Sequence, residues 1–414
     1  MAINSHEESI LFCLGPERDI EYRLFNDFNT LIDKLQLNKN KVLKYSIAID
    51  NMDKIHLVAL MNSGELNYFI YDNGNWSNTI IAKFDLQSKV YGDIYIFGEE
   101  NNINIIYSYA NLINSKLWTI QHVIGYNNTW NQYSVIKFAS HRNSAAYVID
   151  KDTLGNIQLL YGSIEDYTSQ IYHTFYNFYA KIWNPSPSKL TTSKINKVSP
   201  YIFVDTKNHI HSLWLESLDN NHILKYSKLN TLDGKKYIWK QIKIPYISDC
   251  YNYPIMFEEN NLLKIAYIKS DTIGYLYSAD YGDTWYEGDS FNTDFSNINL
   301  IKVSKHDSAY KNIKVNHIYA LLEEKLNFLF LDSINSSNVA YSNLKKDYEK
   351  SSLENNKLEE IETKIENILN NQETINDLLL KNIDSQKRVE VNIQSLIDIL
   401  SNKKNSLFEK LFKW

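Results

Sequence analysis

Through residues 8–333 the apolar positions fall in short runs separated by polar, turn-forming stretches. IHLVAL (55–60), INIIYS (103–108), IQLLYG (157–162), IHSLWL (210–215) and LKIAYI (263–268) are too short for helices. They are rich in β-branched and aromatic residues, so they predict buried strands. Each follows a similar run: YSIAID (45–50), DIYIF (93–97), AAYVID (145–150), YIFVD (201–205) and PIMFE (254–258). Asp50, Asp150 and Asp205 end three of these, where an Asx turn can close a hairpin. Metal ligation by these aspartates is the less favoured reading, because each recurs at one repeat position.

A longer period overlies the short one. Trp76, Trp130, Trp183, Trp239 and Trp285 are spaced by 54, 53, 56 and 46 residues. A period near ~50 residues is the mark of four-stranded repeat units. Each Trp is expected to start the fourth strand of its unit and to pack between neighbours. The N-terminal pieces ILFCLG, IEYRLFNDF and NTLIDKLQL match the second to fourth strands of the next unit, with Phe28 in the place of Trp76. No first strand is evident there. The last unit offers INLIKV (298–303), HIYALL (317–322) and LNFLFL (326–331), but neither a fourth strand nor a Trp. The favoured reading is a mainly β ring of seven units, incomplete first and last units meeting at the closure. Six units, with one terminal piece added as an extra strand, is the alternative. Closure removes exposed sheet edges.

One turn carries a family likeness. SADYGDTW places Ser278, Asp280, Gly282, Thr284 and Trp285 in the order Ser-x-Asp-x-Gly-x-Thr-Trp. Gly282 suits the positive φ of a tight turn, and the Ser278 and Asp280 side chains can bond turn backbone. The octapeptide resembles the Asp-box of sialidase-like β-propellers, with looser copies ending at the four earlier Trp residues. The resemblance implies a β-propeller over residues 1–335 and a structural role for the box.

From about residue 336 the period changes to 3.5. Leu358, Ile365, Gln372, Leu379, Gln386, Ile393 and Leu400 take a positions; Ile361, Ile368, Ile375, Asn382, Val389 and Leu396 take d. Such heptads predict a coiled-coil helix across 336–401. Leu at a with Ile at d predicts a parallel trimer or tetramer through 355–401, with Gln372, Asn382 and Gln386 fixing register. Packing of a single helix back on the ring is the alternative. Residues 402–414 form a short tail in which Leu407, Phe408, Leu411, Phe412 and Trp414 alternate with lysines. That tail could touch a membrane, dock on a partner, or continue the bundle.

Composition narrows the classes. The net charge of −6 speaks against nucleic acid as partner. Cys13 and Cys250 are too few for a disulfide framework or zinc cluster and read as buried thiols. The start MAINSHEESILF lacks the features of a secretory signal. No apolar run approaches the roughly 20 residues of a membrane helix. The expectation is a cytoplasmic protein, or one exported to a surface without a signal.

The search for chemistry gives little. Sialidases resemble one another in three arginines that grip a carboxylate bidentately. The ring region offers only Arg18, Arg23 and Arg142, so sialidase activity is not expected. His209 and His211 share a strand face and form a candidate metal pair, but no third ligand is evident. No phosphate-cradling loop, nucleophile elbow or cofactor motif is present, and no cofactor or metal is expected. The loops between second and third strands mix rings with Asn, Asp and Ser, as sugar- and peptide-binding surfaces do. Tyr107, Tyr109, His141, Arg142 and Tyr251 are the candidate ligand contacts. The expectation is a non-enzymatic, lectin-like or protein-binding propeller made multivalent by its coiled coil. A glycosidase on the same ring and a structural coat component are the alternatives.

Overall fold

The computed structural model describes residues 1–335, except 28, 38–39, 100–101, 127–128, 142–145, 219–220, 230–237, 271, 293–296 and 323–324. The heptads, the lysine-rich tail, Phe28 and Arg142 therefore lie outside the described residues. Seven sheets follow one another along the chain as the blades of a β-propeller. Blade 2 shows the plan, with Val42–Ile49 innermost, then Ile55–Met61, Glu65–Asp72 and Asn75–Lys83 outermost. The innermost strands of blades 3 to 6 are Lys89–Glu99, Tyr147–Lys151, Asn196–Val204 and Cys250–Glu259. Among the described residues no helix is long and apolar enough to cross a membrane.

The strand gradient follows from the ring. Second strands are covered by neighbouring blades on both faces, so Ile55–Met61 is buried at every position. That is why these strands read as continuous apolar runs. Outer strands meet solvent, and Leu31–Gln36 of blade 1 is exposed throughout. Cys250 is buried, but Cys13 is only half-buried.

The closure differs from expectation in blade 1. Its first strand exists as Ala2–Ile3, antiparallel to Ser9–Leu14. Ser304–Lys305 adds to it in parallel, and the Met1 nitrogen donates to the Lys302 carbonyl at 2.6 Å. Two residues sufficed because the neighbouring chain completes the pairing, so no apolar run announced the strand. Blade 7 has three strands among the described residues: Ile298–Lys302, His317–Leu322 and Leu326–Phe328.

Between the first two strands of blade 7, residues 303–316 leave the blade and cross the ring. Ile313–Val315 pairs with Phe257–Glu259 of blade 6. On the way Ser304 Oγ accepts from Ile49 N of blade 2 at 3.0 Å, and Lys314 Nζ reaches the Lys151 carbonyl of blade 4 at 3.4 Å. The segment touches blades 1, 2, 4 and 6, so it closes the lower end of the central axis.

Aromatic contacts link each of blades 2 to 7 to the one before. Trp76 stands edge-on to Tyr22 at 6.0 Å, and Trp130 to Tyr68 at 6.1 Å. Trp183 meets His122 at 5.7 Å, Trp239 meets His173 at 5.1 Å, and Trp285 meets Tyr226 at 5.1 Å. All five Trp residues sit at the start of a fourth strand or immediately before it. Blade 7 supplies Phe330 instead, 4.8 Å from Tyr275 of blade 6. The residue on the third strand is then tied down within its own blade. His56 bonds Tyr68 Oη and Asp50 at 2.7 and 3.1 Å, and His211 bonds Tyr226 Oη and Asp205 at 2.8 and 3.2 Å.

In the turn before Trp285, Gly282 N and Asp280 Oδ1 both meet Ser278 Oγ, at 2.8 and 2.7 Å. Asp280 Oδ1 also accepts from Thr284 N at 2.9 Å. These bonds from the turn outweigh partial burial and hold the Asp280 carboxyl down at about 2. Gly282 has φ +91°, and a Cβ there would lie 2.1 Å from the Tyr226 hydroxyl. Glycine is needed both for the turn and for the close approach of blade 5.

The buried imidazoles predict acid lability. His122 Nε2 bonds Asn104 Oδ1 at 3.0 Å, while its Nδ1 accepts from Trp183 Nε1 at 3.2 Å. Both ring nitrogens are committed in the neutral form, and protonation would set N–H against N–H. Burial pushes His122 and His173 down to about 3. Their folded pKa lies below the unfolded value of about 6.5, so the stability they contribute is present above it. It is lost as pH falls from about 6.5 toward 3. Melting temperature is expected to drop steadily across this window, and His122→Gln to flatten the slope. A profile flat from pH 6.5 to 4.5 would contradict this account.

Candidate functional site

Side chains of non-adjacent blades can meet only on the axis, and several do. Lys302 of blade 7 donates from Nζ to Ser46 Oγ of blade 2 at 3.1 Å. The same Nζ stands 3.9 Å from the ring centre of Tyr95 in blade 3. His317 of blade 7 lies edge-on to Tyr201 of blade 5 at 5.5 Å. Ser46, Tyr95 and Tyr201 hold equivalent registers, opposite Val58, Ile106 and Leu213 on their second strands. In blades 2, 3 and 5 the repeat therefore aims the same position of the inner strand at the axis.

Lys302 and His317 are surrounded by protein, yet each keeps accessible surface. They border open space inside the ring, a recess above the segment 303–316. Burial pulls Lys302 down to about 7, with Asp93 as the opposing influence. Its amine is thus shared between charged and neutral forms near neutrality. Burial pushes His317 down to about 3, and its Nδ1 is buried with no hydrogen-bond partner. The tyrosines have rising pKa values from burial and remain neutral phenols, Tyr95 and Tyr201 included.

The upper rim is more exposed. Asp93 pairs with Lys44 across blades 3 and 2 at 2.7 Å. Tyr253 is 53% and Tyr251 37% exposed, on the first strand of blade 6. Tyr253 acts electrostatically on Tyr95, and Tyr251 on Tyr319. Irregular pairing interrupts the upper inner strands of blades 2, 3, 5 and 6, at Val42/Lys44, Tyr91/Ile94, Val198/Tyr201 and Tyr251/Ile255. Bulges of this kind re-aim side chains and gather beside functional sites.

The candidates from sequence are not brought together. Tyr107 is buried, its ring 4.8 Å from Phe84 and its hydroxyl accepting from Gln132 at 3.2 Å. Tyr109 sits beside it under Lys89, whose Nζ is 4.8 Å from the ring centre. His141 is exposed, and its carbonyl accepts from Trp118 Nε1 at 3.0 Å. These three belong to blade 3, while Tyr251 belongs to blade 6 and alone reaches the axial rim. Lys302, Tyr95, Tyr201, His317 and Asp93 escaped sequence reading. For Tyr95 and Tyr201 the signal was a polar residue recurring with Ser46 at one position of the first strands, legible only once the axis is known. Lys302, His317 and Asp93 stand at other positions.

The His209–His211 pair is accounted for by Asp205, whose Oδ2 lies 2.8 Å from His209 Nδ1 and 3.2 Å from His211 Nε2. Burial opposes ionisation of Asp205, but the two imidazole bonds outweigh it and hold the carboxyl below its usual range. Asp50 and Asp205 cap their turns as expected, accepting from Lys54 N and His209 N at 2.9 and 2.8 Å. Asp150 departs from the pattern. It accepts from Val204 N of the next blade at 2.6 Å, and Asp152 caps the turn instead.

Two cavities lie elsewhere. One of about 240 Å³ sits between blades 1 and 2, and one of about 360 Å³ at the outer edge of blade 5 beside Leu224, Ile242 and Pro245. These two cavities and the convergent titratable groups thus fall in different places. Perturbed, converging groups are the stronger pointer to chemistry.

No family model and no curated protein matches the chain. Solved structures do. Over 80% of this chain and 93% of the other, it is similar to a PL25 ulvan lyase bound to -[GlcA(1-4)Rha3S]-, with TM-score 0.55 and 11% identity. It is similar at TM-score 0.42 and 9% identity to a Penicillium chrysogenum α-L-arabinanase, over 69% of this chain and 91% of that one. The six-bladed fucose lectin of Aleuria aurantia follows at 0.37 and 12%, over 69% and 95%. The likeness is one of fold.

This corrects one expectation. The chain was expected not to be an enzyme, but a solved structure whose fold it resembles is a polysaccharide lyase, so the fold gives that expectation no support. Missing arginines argue against the carboxylate grip of sialidases alone.

Proposed function

We propose that the axial recess receives an acidic carbohydrate chain. The observation that carries this reading is Lys302, a desolvated amine on the axis that no carboxylate among the described residues pairs with directly. Asp93 already pairs with Lys44, Lys314 acts on Asp150 and Lys305 faces Asp307, which leaves Lys302 in surplus. An anion entering the recess would meet positive charge in low dielectric, where it counts most. The exposed rings of Tyr251 and Tyr253 at the rim suit the apolar faces of sugars.

A second reading adds cleavage. A lysine near neutrality beside phenols can give or take a proton at working pH. The resemblance to a polysaccharide lyase lends it support. The test is binding of purified protein to uronate-bearing, sulfated and neutral polysaccharides, with reducing and unsaturated ends followed over time. Salt-sensitive binding of an acidic polymer is expected, with new chain ends if the second reading holds. Equal binding of neutral polymers, or none at all, removes the proposal.

The turn 278–285 is read as an Asp-box, on the strength of its hydrogen bonds. For residues 355–401 the proposal is a parallel bundle of three or four chains, which would multiply weak sites into avidity. Light scattering on full-length protein and on residues 1–335 checks it. The full chain is expected at three or four copies and the shorter one at one. A monomeric full-length protein ends the idea.

A further inference from the structure

We infer a second carbohydrate site, for a single neutral sugar ring, in the cavity between blades 1 and 2. It lies on the face opposite the axial mouth, where first-to-second and third-to-fourth strand turns gather. The cavity encloses about 240 Å³, and three turns build it: Asn4–Glu8, Met52–Asp53 and Asp72–Gly74.

Its carboxylates divide into two kinds. Asp53 already accepts on both oxygens from Ser5, whose N and Oγ donate at 2.8 and 2.5 Å. Asp72 likewise accepts on both oxygens, from Lys54 at 2.8 Å and Asn73 at 3.0 Å. Glu8 receives Asn4 Nδ2 on Oε2 alone, at 2.8 Å, so Oε1 is left to accept. His6 meets Ser5 Oγ through Nδ1 at 3.3 Å, which leaves Nε2. The Tyr71 hydroxyl has no hydrogen-bond partner among the described residues, and its ring is held by Trp76 at 5.0 Å. Glu8 and Tyr22 are close enough to the phenol to raise its pKa after burial does so.

The free groups are therefore one carboxylate oxygen, one imidazole nitrogen and one phenol, beside the apolar Ile10, Ile55 and Met52. A cation would need more unpaired oxygens than remain. Among the described residues no three His, Cys, Asp or Glu side chains are arranged to hold a metal. An anion would be repelled by Glu8. Adjacent hydroxyls on a ring fit, since each can donate to Glu8 or exchange hydrogen bonds with Tyr71 and His6. The ring's C–H face then meets Tyr71 and the isoleucines.

The test is saturation-transfer NMR and calorimetry on the full chain with glucose, galactose, mannose, fucose and N-acetylglucosamine. At least one is expected to bind. Glu8→Gln and His6→Ala, both at exposed positions, should each weaken it roughly tenfold, the worth of one charge-assisted hydrogen bond. Lys302→Met should leave it unchanged, which separates this site from the axial one. No binding by any of the five sugars, or binding indifferent to both cavity variants, overturns the inference.

Discussion

Replacing Trp285 by alanine is expected to destabilise the propeller by about 3–5 kcal/mol, the range for deleting a buried large aromatic side chain. Trp285 is 6% exposed. Its ring stands at 71° to Tyr226, and its Nε1 donates to the Gly282 carbonyl at 3.2 Å. The side chain thus holds three things at once: its own turn, the fourth strand of blade 6 and the face of blade 5. Tyr226 is in turn fixed by His211, so the loss would also loosen the Asp205 network. At roughly 2–4 °C per kcal/mol for a domain of this class, melting should fall by about 5–10 °C or more. The neighbouring Tyr286, 55% exposed, serves as control, and Tyr286→Ala should change stability by less than ~0.5 kcal/mol. Calorimetric melts of both variants decide the matter. A Trp285 variant that melts with wild type would mean the blades are not joined by these contacts.

The second large effect concerns Lys302. Lys302→Met keeps the aliphatic length and removes the charge. If the axial recess takes an acidic carbohydrate, affinity should fall roughly 10- to 100-fold, the worth of one desolvated charge-assisted contact. The pH profile gives a sharper sign. Lys302 titrates at about 7, so wild-type binding should weaken as pH rises through 7 and the charge is lost. The variant should show no such step.

Stability should move the other way. A lysine whose folded pKa lies below its unfolded value near 10.4 holds the fold back below about 7, where both states are charged. That penalty fades as pH climbs toward 10. Lys302→Met is therefore expected to melt at or above the wild-type temperature at neutral pH, which separates loss of binding from loss of fold. Unchanged affinity with an unchanged pH profile would remove Lys302 from the site.

The strands and their ring were legible because burial on both faces leaves a long apolar record. Ile55–Met61, Ile157–Glu165 and Ile210–Leu218 each announce a covered second strand. The five Trp residues were legible for a related reason, since one inter-blade contact repeated gives one residue repeated. Ala2–Ile3 left no such record, because its partners Ile10 and Ser304 are 8 and 302 residues from Ala2. The same holds for the segment 303–316, whose pairing with Phe257–Glu259 follows from ring closure.

The candidate site divides along the same line. Of the residues chosen from loop composition, Tyr251 reaches the axial rim, whereas Tyr107 is packed against Phe84 between blades. Loop chemistry alone does not say which way a ring points. Lys302, Tyr95, Ser46 and Tyr201 stand on four blades and are up to 256 positions apart in sequence. The cavity that leaves Glu8, His6 and Tyr71 with free polar groups likewise arises where turns of two blades meet. By itself the sequence determined the strand repeat, the blade-to-blade aromatic contact and the turn chemistry at Gly282, because each is local or repeated. Only the tertiary structure decided what stands on the axis and between blades 1 and 2. Those sites are made by unlike residues from distant blades, and no period or motif along the chain records their meeting.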